Sequence, residues 1–206
     1  IKNEDQWQVL INTISERWSG LDALVNNAGV ASGGAIDSLS LKDFQWTIDI
    51  NLMGAVKGCY FCVPLLKESK GTLINVASMA GLVHMSNMSA YSASKAGVVA
   101  LSETLLSELY PFEINVSVVC PASFPSNLLS TIRSSSDTGA STAKKMMDRS
   151  PVSAGDIAAM VYEQSAKGKH IIIPTFRETM LWRIKRYMPA FYFVFMKKWI
   201  HKIINK

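Results

Sequence analysis

Tyr91 and Lys95, four positions apart in the stretch SAYSASKAG, are the pair with the clearest chemical potential in this 206-residue sequence. If Tyr91 opens a helix, Lys95 lies one turn further along the same face, about 5–6 Å away between Cβ atoms. An ammonium at that distance favours the phenolate and lowers the tyrosine pKa from its usual ~10. A phenol tuned in this way is a general acid and base near neutral pH. Alone the pair says little, because with six tyrosines and fifteen lysines one Y-x-x-x-K is unsurprising. A packed tyrosine beside a solvated lysine explains it too. Other residues stand at suggestive distances, however: Ser78 lies 13 positions before Tyr91, Asn51 lies 40 before it, and NNAG (Asn26–Gly29) precedes both.

The elements that carry these residues can be read from the hydropathy pattern. LDALVNN (Leu21–Asn27), GTLINVAS (Gly71–Ser78), EINVSVVCP (Glu113–Pro121) and KHIIIP (Lys169–Pro174) are short, apolar and β-branched, as strands covered on both faces are. Helical patterns run from Glu4 to Arg17, from about Leu41 to Leu66, from Tyr91 to Leu109 and from Gly155 to Ala166. Ser40 with Asp43, and Ser153 with Asp156, have capping-box spacing and mark two helix starts. Alternation of strand and helix predicts right-handed crossovers and a doubly wound α/β domain with a parallel sheet. Ligands of such sheets bind beyond the carboxyl ends of the strands, where NNAG, Ser78 and CPAS (Cys120–Ser123) all fall. Residues 123–150, rich in Ser and Thr, read as a long loop or mobile lid.

Composition sets outer bounds. With 49% apolar residues the chain can bury the core of a single domain. Three cysteines suit a reducing compartment, and a cytoplasmic location is expected. Cys59 and Cys62 form a C-x-x-C within an apolar helical run and lack a second pair, which points to core packing and not to a metal site. Of the net charge of +5, residues 177–206 hold eight Lys or Arg and one Glu, so the first 176 residues are slightly acidic. No face for nucleic acid is indicated, and a local membrane or partner contact is the better reading of the basic tail.

The joint order of NNAG, a mid-helix Asn51, a strand-end Ser78 followed by x-x-G, and Tyr91-x-x-x-Lys95 resembles the short-chain dehydrogenase/reductase family from about Ile1 to Pro174. The resemblance implies a Rossmann-like fold, NAD or NADP as cofactor, interconversion of a ketone or aldehyde and an alcohol, and a homo-oligomer. It implies that Tyr91 exchanges a proton with the substrate oxygen, that Lys95 lowers the Tyr91 pKa and bonds the nicotinamide ribose, that Ser78 holds the substrate oxygen, and that Asn51 supports a proton relay. Asn27, Ala28 and Gly29 would let the backbone approach the cofactor. The family's P-G-x-x-x-T, which lies near the nicotinamide carboxamide, appears here as PASFPS, with Pro121 retained, Ala122 for the glycine and Ser126 for the threonine, so the resemblance implies cofactor contact at Pro121 and Ser126. On the residues alone, Asn51 in DINLMG is a poor helix former that reads as a functional kink, while Ser78 either belongs to the site or caps its strand. His84 stands alone in the intervening loop; Met79, Met85 and Met88 fit a pocket for a small lipophilic carbonyl or alcohol, or ordinary core filling.

Two features depart from the family pattern. No T-G-x-x-x-G-x-G turn occurs in the sequence. Residues 1–176 are therefore expected to be the C-terminal two-thirds of such a domain, lacking the first strands and the turn that seats the pyrophosphate. On that expectation the 206-residue chain alone has negligible activity, and the alternative is a non-catalytic remnant acting as an interaction or membrane-associated module. Residues 177–206 read as two short helices broken at Pro189, with Trp182, Phe191, Phe193, Phe195 and Trp199 among basic residues. The apolar run 190–196 is far shorter than the ~18 residues a spanning helix needs. This tail either lies on a membrane surface, making the protein peripheral, or packs over the substrate pocket or a partner subunit.

Overall fold

β-Branched runs pair where helices can cover both faces. The structure, a computed structural model describing residues 1–18, 20–135, 141, 144, 145 and 147–204, contains strands β1 (Ala23–Asn26), β2 (Ser32–Gly33), β3 (Thr72–Val76), β4 (Asn115–Val119), β5 (Arg133–Ser134) and β6 (Ile171–Ile172). Strands β1, β3, β4 and β6 form one sheet in that order, every pair parallel. Around it lie α1 (Glu4–Arg17), α2 (Leu41–Asn51), α3 (Met53–Ser69), α4 (Met79–Leu82), α5 (Ser89–Leu109), α6 (Ala154–Ala166), α7 (Phe176–Tyr187) and α8 (Pro189–Ile204).

Alternation along the strands sorts the core into two layers. Leu73 and Val116, paired in register, pack with Cys59 and Leu66 of α3 and Leu105 and Leu109 of α5. On the opposite face Ile74, Val119 and Ile172 pack against Val161 of α6. This is the doubly wound α/β fold expected. The three cysteines are buried and free, and burial pushes their thiols up to about 11 at Cys59 and Cys62 and about 12 at Cys120. They act as core residues, and the described residues hold no metal-binding cluster.

The expected single helix over 41–66 is two helices. The break falls at Leu52, immediately after Asn51. The Ser153–Asp156 capping box forms in full, and Ser40 caps α2 through Asp43. Residues 123–135 are docked, which corrects part of the loop expectation. Asn127–Thr131 make a 3₁₀ turn, and β5 pairs with β2. Arg133 donates to Asp43 Oδ1 at 2.9 Å and stacks 3.9 Å over Trp46. The remainder of that expectation falls partly on residues 136–140, 142, 143 and 146, outside the described residues. The tail breaks at Pro189, as expected, and packs back on the domain. Among the described residues, one helical stretch, Leu41–Ser69, is long and apolar enough to cross a membrane. It is broken at Leu52, and Cys59, Cys62 and Leu66 belong to its buried residues.

A polar seam runs through the core. Asn26 and Asn75 sit opposite each other in the β1–β3 register, and Asn26 Nδ2 donates to Asn75 Oδ1 at 2.8 Å. Asn75 donates in turn to Ser102 of α5 at 3.0 Å. Gly58 of α3 makes room for this seam: a Cβ there would lie 2.1 Å from Asn26 Oδ1. Gly58→Ala is expected to cost about 2–3 kcal/mol in urea denaturation, from overpacking and a disturbed buried hydrogen bond. Gly155→Ala, which meets only Ser153 Oγ at 3.6 Å, is the control expected to be close to neutral. Equal effects of the two changes would contradict this account.

Candidate active site

Three strand ends and the start of α5 build the site. Past β3, the Ala77 amide bonds the Val119 carbonyl at 2.8 Å, and the Met79 amide bonds the Pro121 carbonyl at 2.9 Å. The turn after β3 is thus tied to the end of β4. Ser78 caps α4, accepting from the Ala80 amide at 3.1 Å. The short helix α4 then lies against α5 so closely that a Cβ on Gly81 would stand 2.7 Å from the Lys95 carbonyl oxygen. That contact brings Ser78 near Tyr91, close enough for its hydroxyl to pull the phenol pKa down.

Asn51 is buried at the end of α2. Its Oδ1 accepts from the Val30 amide at 2.8 Å, and its Nδ2 donates to the Val30 carbonyl and to Ser94 Oγ, each at 3.0 Å. Ser94 donates to the Tyr91 carbonyl at 2.8 Å. The side chain therefore joins the segment after NNAG to α5. Gly29 lies between Asn51 and Lys95: a Cβ on it would be 3.2 Å from Asn51 Oδ1 and 3.4 Å from Lys95 Nζ. All four expected residues, Asn51, Ser78, Tyr91 and Lys95, are linked in one place by these contacts.

The electrostatics differ from the sequence expectation. Burial pushes the Tyr91 phenol above its ordinary pKa, with the Ser78 hydroxyl pulling the other way. Lys95 Nζ instead donates to the Val76 carbonyl at 2.8 Å. Burial lowers Lys95 itself from 10.5 to about 8. The lowering of Tyr91 by Lys95 that four-residue spacing suggested is absent from this geometry, because desolvation dominates both groups.

On its other side Tyr91 meets an apolar wall. Ala31, Ala80 and Tyr91 form a buried cluster, with Met88, Leu128, Leu129 and Ile132 packed against it. Met79 belongs to the core, and Met85 is exposed. His84 Nδ1 bonds the Ala80 carbonyl at 2.9 Å, an ordinary local role. Asn27 and Ala28 are exposed past β1, Pro121 is buried, and Ser126 is exposed, capping the 3₁₀ turn through the Leu128 amide. Sequence reasoning missed Ser94, for which its place beside Lys95 was the available signal. It also missed Leu128, Leu129 and Ile132, which only the docking of β5 brings to Tyr91.

Residues 1–137 match the short chain dehydrogenase family. The chain is 37% identical over 123 residues to a trans-4-hydroxycyclohexanecarboxylate dehydrogenase of Sinomonas cyclohexanicum, covering 60% of this chain and 48% of that protein. It is 35% identical over 132 residues to the mitochondrial D-beta-hydroxybutyrate dehydrogenase of Rattus norvegicus, covering 64% of this chain and 38% of that one. The chain thus spans about half or less of the length of these relatives. Among solved structures, a short chain dehydrogenase/reductase from Burkholderia phymatum in complex with NAD superposes with a TM-score of 0.84 at 26% identity, over 90% of this chain and 72% of that one. The Pseudomonas aeruginosa RhlG/NADP active-site complex gives 0.70 at 28% identity, over 84% and 72%.

The depressed Lys95 pKa has a sign that can be measured. The folded chain holds this proton less tightly than the unfolded chain, so the penalty is full below about pH 8 and fades as pH rises toward 10.5. Relative to Lys95→Met, the unsubstituted protein is expected to gain about 2 kcal/mol of unfolding free energy between pH 7 and pH 10. Denaturant titration of both proteins at the two pH values checks this, and parallel pH profiles would show that burial does not strain the ammonium.

Proposed function

Because this chain belongs to the short-chain dehydrogenase family, we propose that it carries the catalytic part of an NAD(P)-dependent oxidoreductase interconverting a ketone or aldehyde and an alcohol. The observation that carries the reading is the convergence of Ser78, Tyr91, Lys95 and Asn51 beside Gly29, at the carboxyl end of the sheet.

The residues present fit the nicotinamide end of the cofactor. Gly29 lets the backbone run close between Asn51 and Lys95, where a side chain would crowd both, with Asn27 and Ala28 exposed next to it. Asn27, Ala28, Gly29 and Lys95 would hold the ribose side, and Pro121 and Ser126 the carboxamide side. A bound nicotinamide supplies the hydride chemistry. Tyr91, held protonated by burial, gives its proton to the oxygen of a carbonyl substrate, and Ser78 hydrogen-bonds the same oxygen. Asn51 keeps the strand-end loop and α5 in register, and its fully engaged side chain makes it a positioning residue more than a proton carrier.

The wall of Met88, Leu128, Leu129 and Ile132 beside Tyr91 supports a lipophilic substrate, since it gives apolar surface to bury and keeps water from the phenol. Exposed Tyr60 on α3 and Tyr110 just past α5 offer apolar area for the homo-oligomer the family implies. A cytoplasmic setting, peripheral to a membrane through residues 177–206, completes the proposal. The second reading, a non-catalytic module, draws on the uncovered outer side of β1, where Val25 is exposed.

The test uses the complete reading frame that contains these residues. In it, Tyr91→Phe is expected to lower kcat for ketone reduction about 10²- to 10⁴-fold while NADH affinity by fluorescence titration changes little. In the unsubstituted enzyme, kcat/KM should climb along a series of methyl ketones of increasing chain length. Undiminished turnover in the variant overturns the mechanism, and a flat series removes the lipophilic substrate.

A further inference from the structure

We infer that the outward face of α8 is a docking surface for an anionic lipid bilayer, a specification that rests on the membrane contact proposed for residues 177–206. The tail is fixed to the domain by one side only. Tyr192 is 2% exposed within the main core cluster, and Leu181, Trp182, Ile184 and Met196 pack on that cluster. Lys185 Nζ donates to the Leu82 carbonyl at 2.5 Å.

The helical period then decides what faces outward. With Tyr192 and Met196 turned in, Val194, Lys198 and Phe191 fall on the outward side of α8, and Phe195 stands on its flank one turn from Phe191. Phe191 is 59% exposed, and Val194 and Phe195 are 54% exposed each. Tyr187 and Met188, also exposed, continue the apolar surface across the α7–α8 junction. Arg183 and Arg186 of α7 and Lys197 and Lys198 of α8 are exposed as well. Several exposed apolar side chains on one short helix suit a contact site.

Charge selects the occupant. A second copy docking by the same face would set two such segments together, each with eight basic residues and one acidic. A two-fold contact matches a patch with itself, so that arrangement brings like charges into register. The first 176 residues of another copy, with 13 basic and 15 acidic residues, have too little negative charge to compensate. An anionic leaflet satisfies both needs: aromatic rings enter the headgroup boundary, and nearby cations are drawn to the anionic headgroups. The helix lies in the plane, because a seven-residue apolar run does not span.

Vesicle co-sedimentation tests this with the whole 206-residue chain, using phosphatidylcholine alone and phosphatidylcholine mixed with phosphatidylserine. The chain is expected to bind the mixed vesicles, to bind them less as salt is raised, and to bind neutral vesicles weakly. The double variant Phe191→Ser, Phe195→Ser, both exposed, is expected to keep its circular dichroism and lose on the order of tenfold or more in binding. Phe176→Ser, an exposed change at the far end of α7, is the control expected to bind normally. Binding by the double variant equal to that of the parent chain overturns the docking face while leaving a membrane contact in place. Absence of binding by the parent chain overturns both. A dimer of the parent chain in size exclusion that the double variant abolishes assigns the face to a second copy, and overturns the lipid assignment.

Discussion

The buried carboxamide of Asn51 holds the site together. It is the only side chain shown here to bond both the amide and the carbonyl of the strand-end segment at Val30 while also reaching α5 through Ser94. Strand-end loops carry chemistry but have few ladder bonds to hold them. Here one residue supplies three bonds to such a loop and its neighbour, at the point where the helix 41–69 breaks. The break and the clamp are one feature: the residue that ends α2 is the residue whose side chain turns to Val30. A group lacking either half of that carboxamide would leave a buried partner unsatisfied, at a cost of about 1–3 kcal/mol, and would release NNAG from Tyr91.

Around this clamp the site is organised by desolvation more than by charge. Tyr91 is driven toward its neutral phenol and Lys95 toward its neutral amine, each chiefly by burial. Both effects favour the uncharged form of the group they act on. Lys95 is aimed at the Val76 carbonyl and lies against Gly29. The same low local polarity that opposes charge on these groups strengthens each hydrogen bond they make.

Much of this was legible in the sequence. The strands showed as β-branched runs, and α1 was read to its last residue. What the sequence concealed depended on non-local contacts. Four-residue spacing between Tyr91 and Lys95 implied a charge effect, but spacing carries no information on burial, and burial reversed the sign at the phenol. Residues 123–135 lacked periodicity and read as a loop because their order comes from Arg133 on Asp43 and Trp46, an ion pair and a stacking contact spanning some ninety positions. Asn75 interrupts an apolar strand, and only pairing in register with Asn26 shows that the two satisfy each other.

The tail follows from the same balance between packing and exposure. Had its aromatics served the core alone, burial would have claimed both sides of α8, yet Tyr192 is enclosed while Phe191 and Phe195 one position or three away remain open. Had they served only an external contact, Lys185 would have no reason to place its ammonium on the Leu82 carbonyl, at the end of the helix that Ser78 begins. The inner side of the tail therefore braces α4, and through it the hydroxyl near Tyr91. Any surface that seats the outer side bears on an element one short helix away from Ser78.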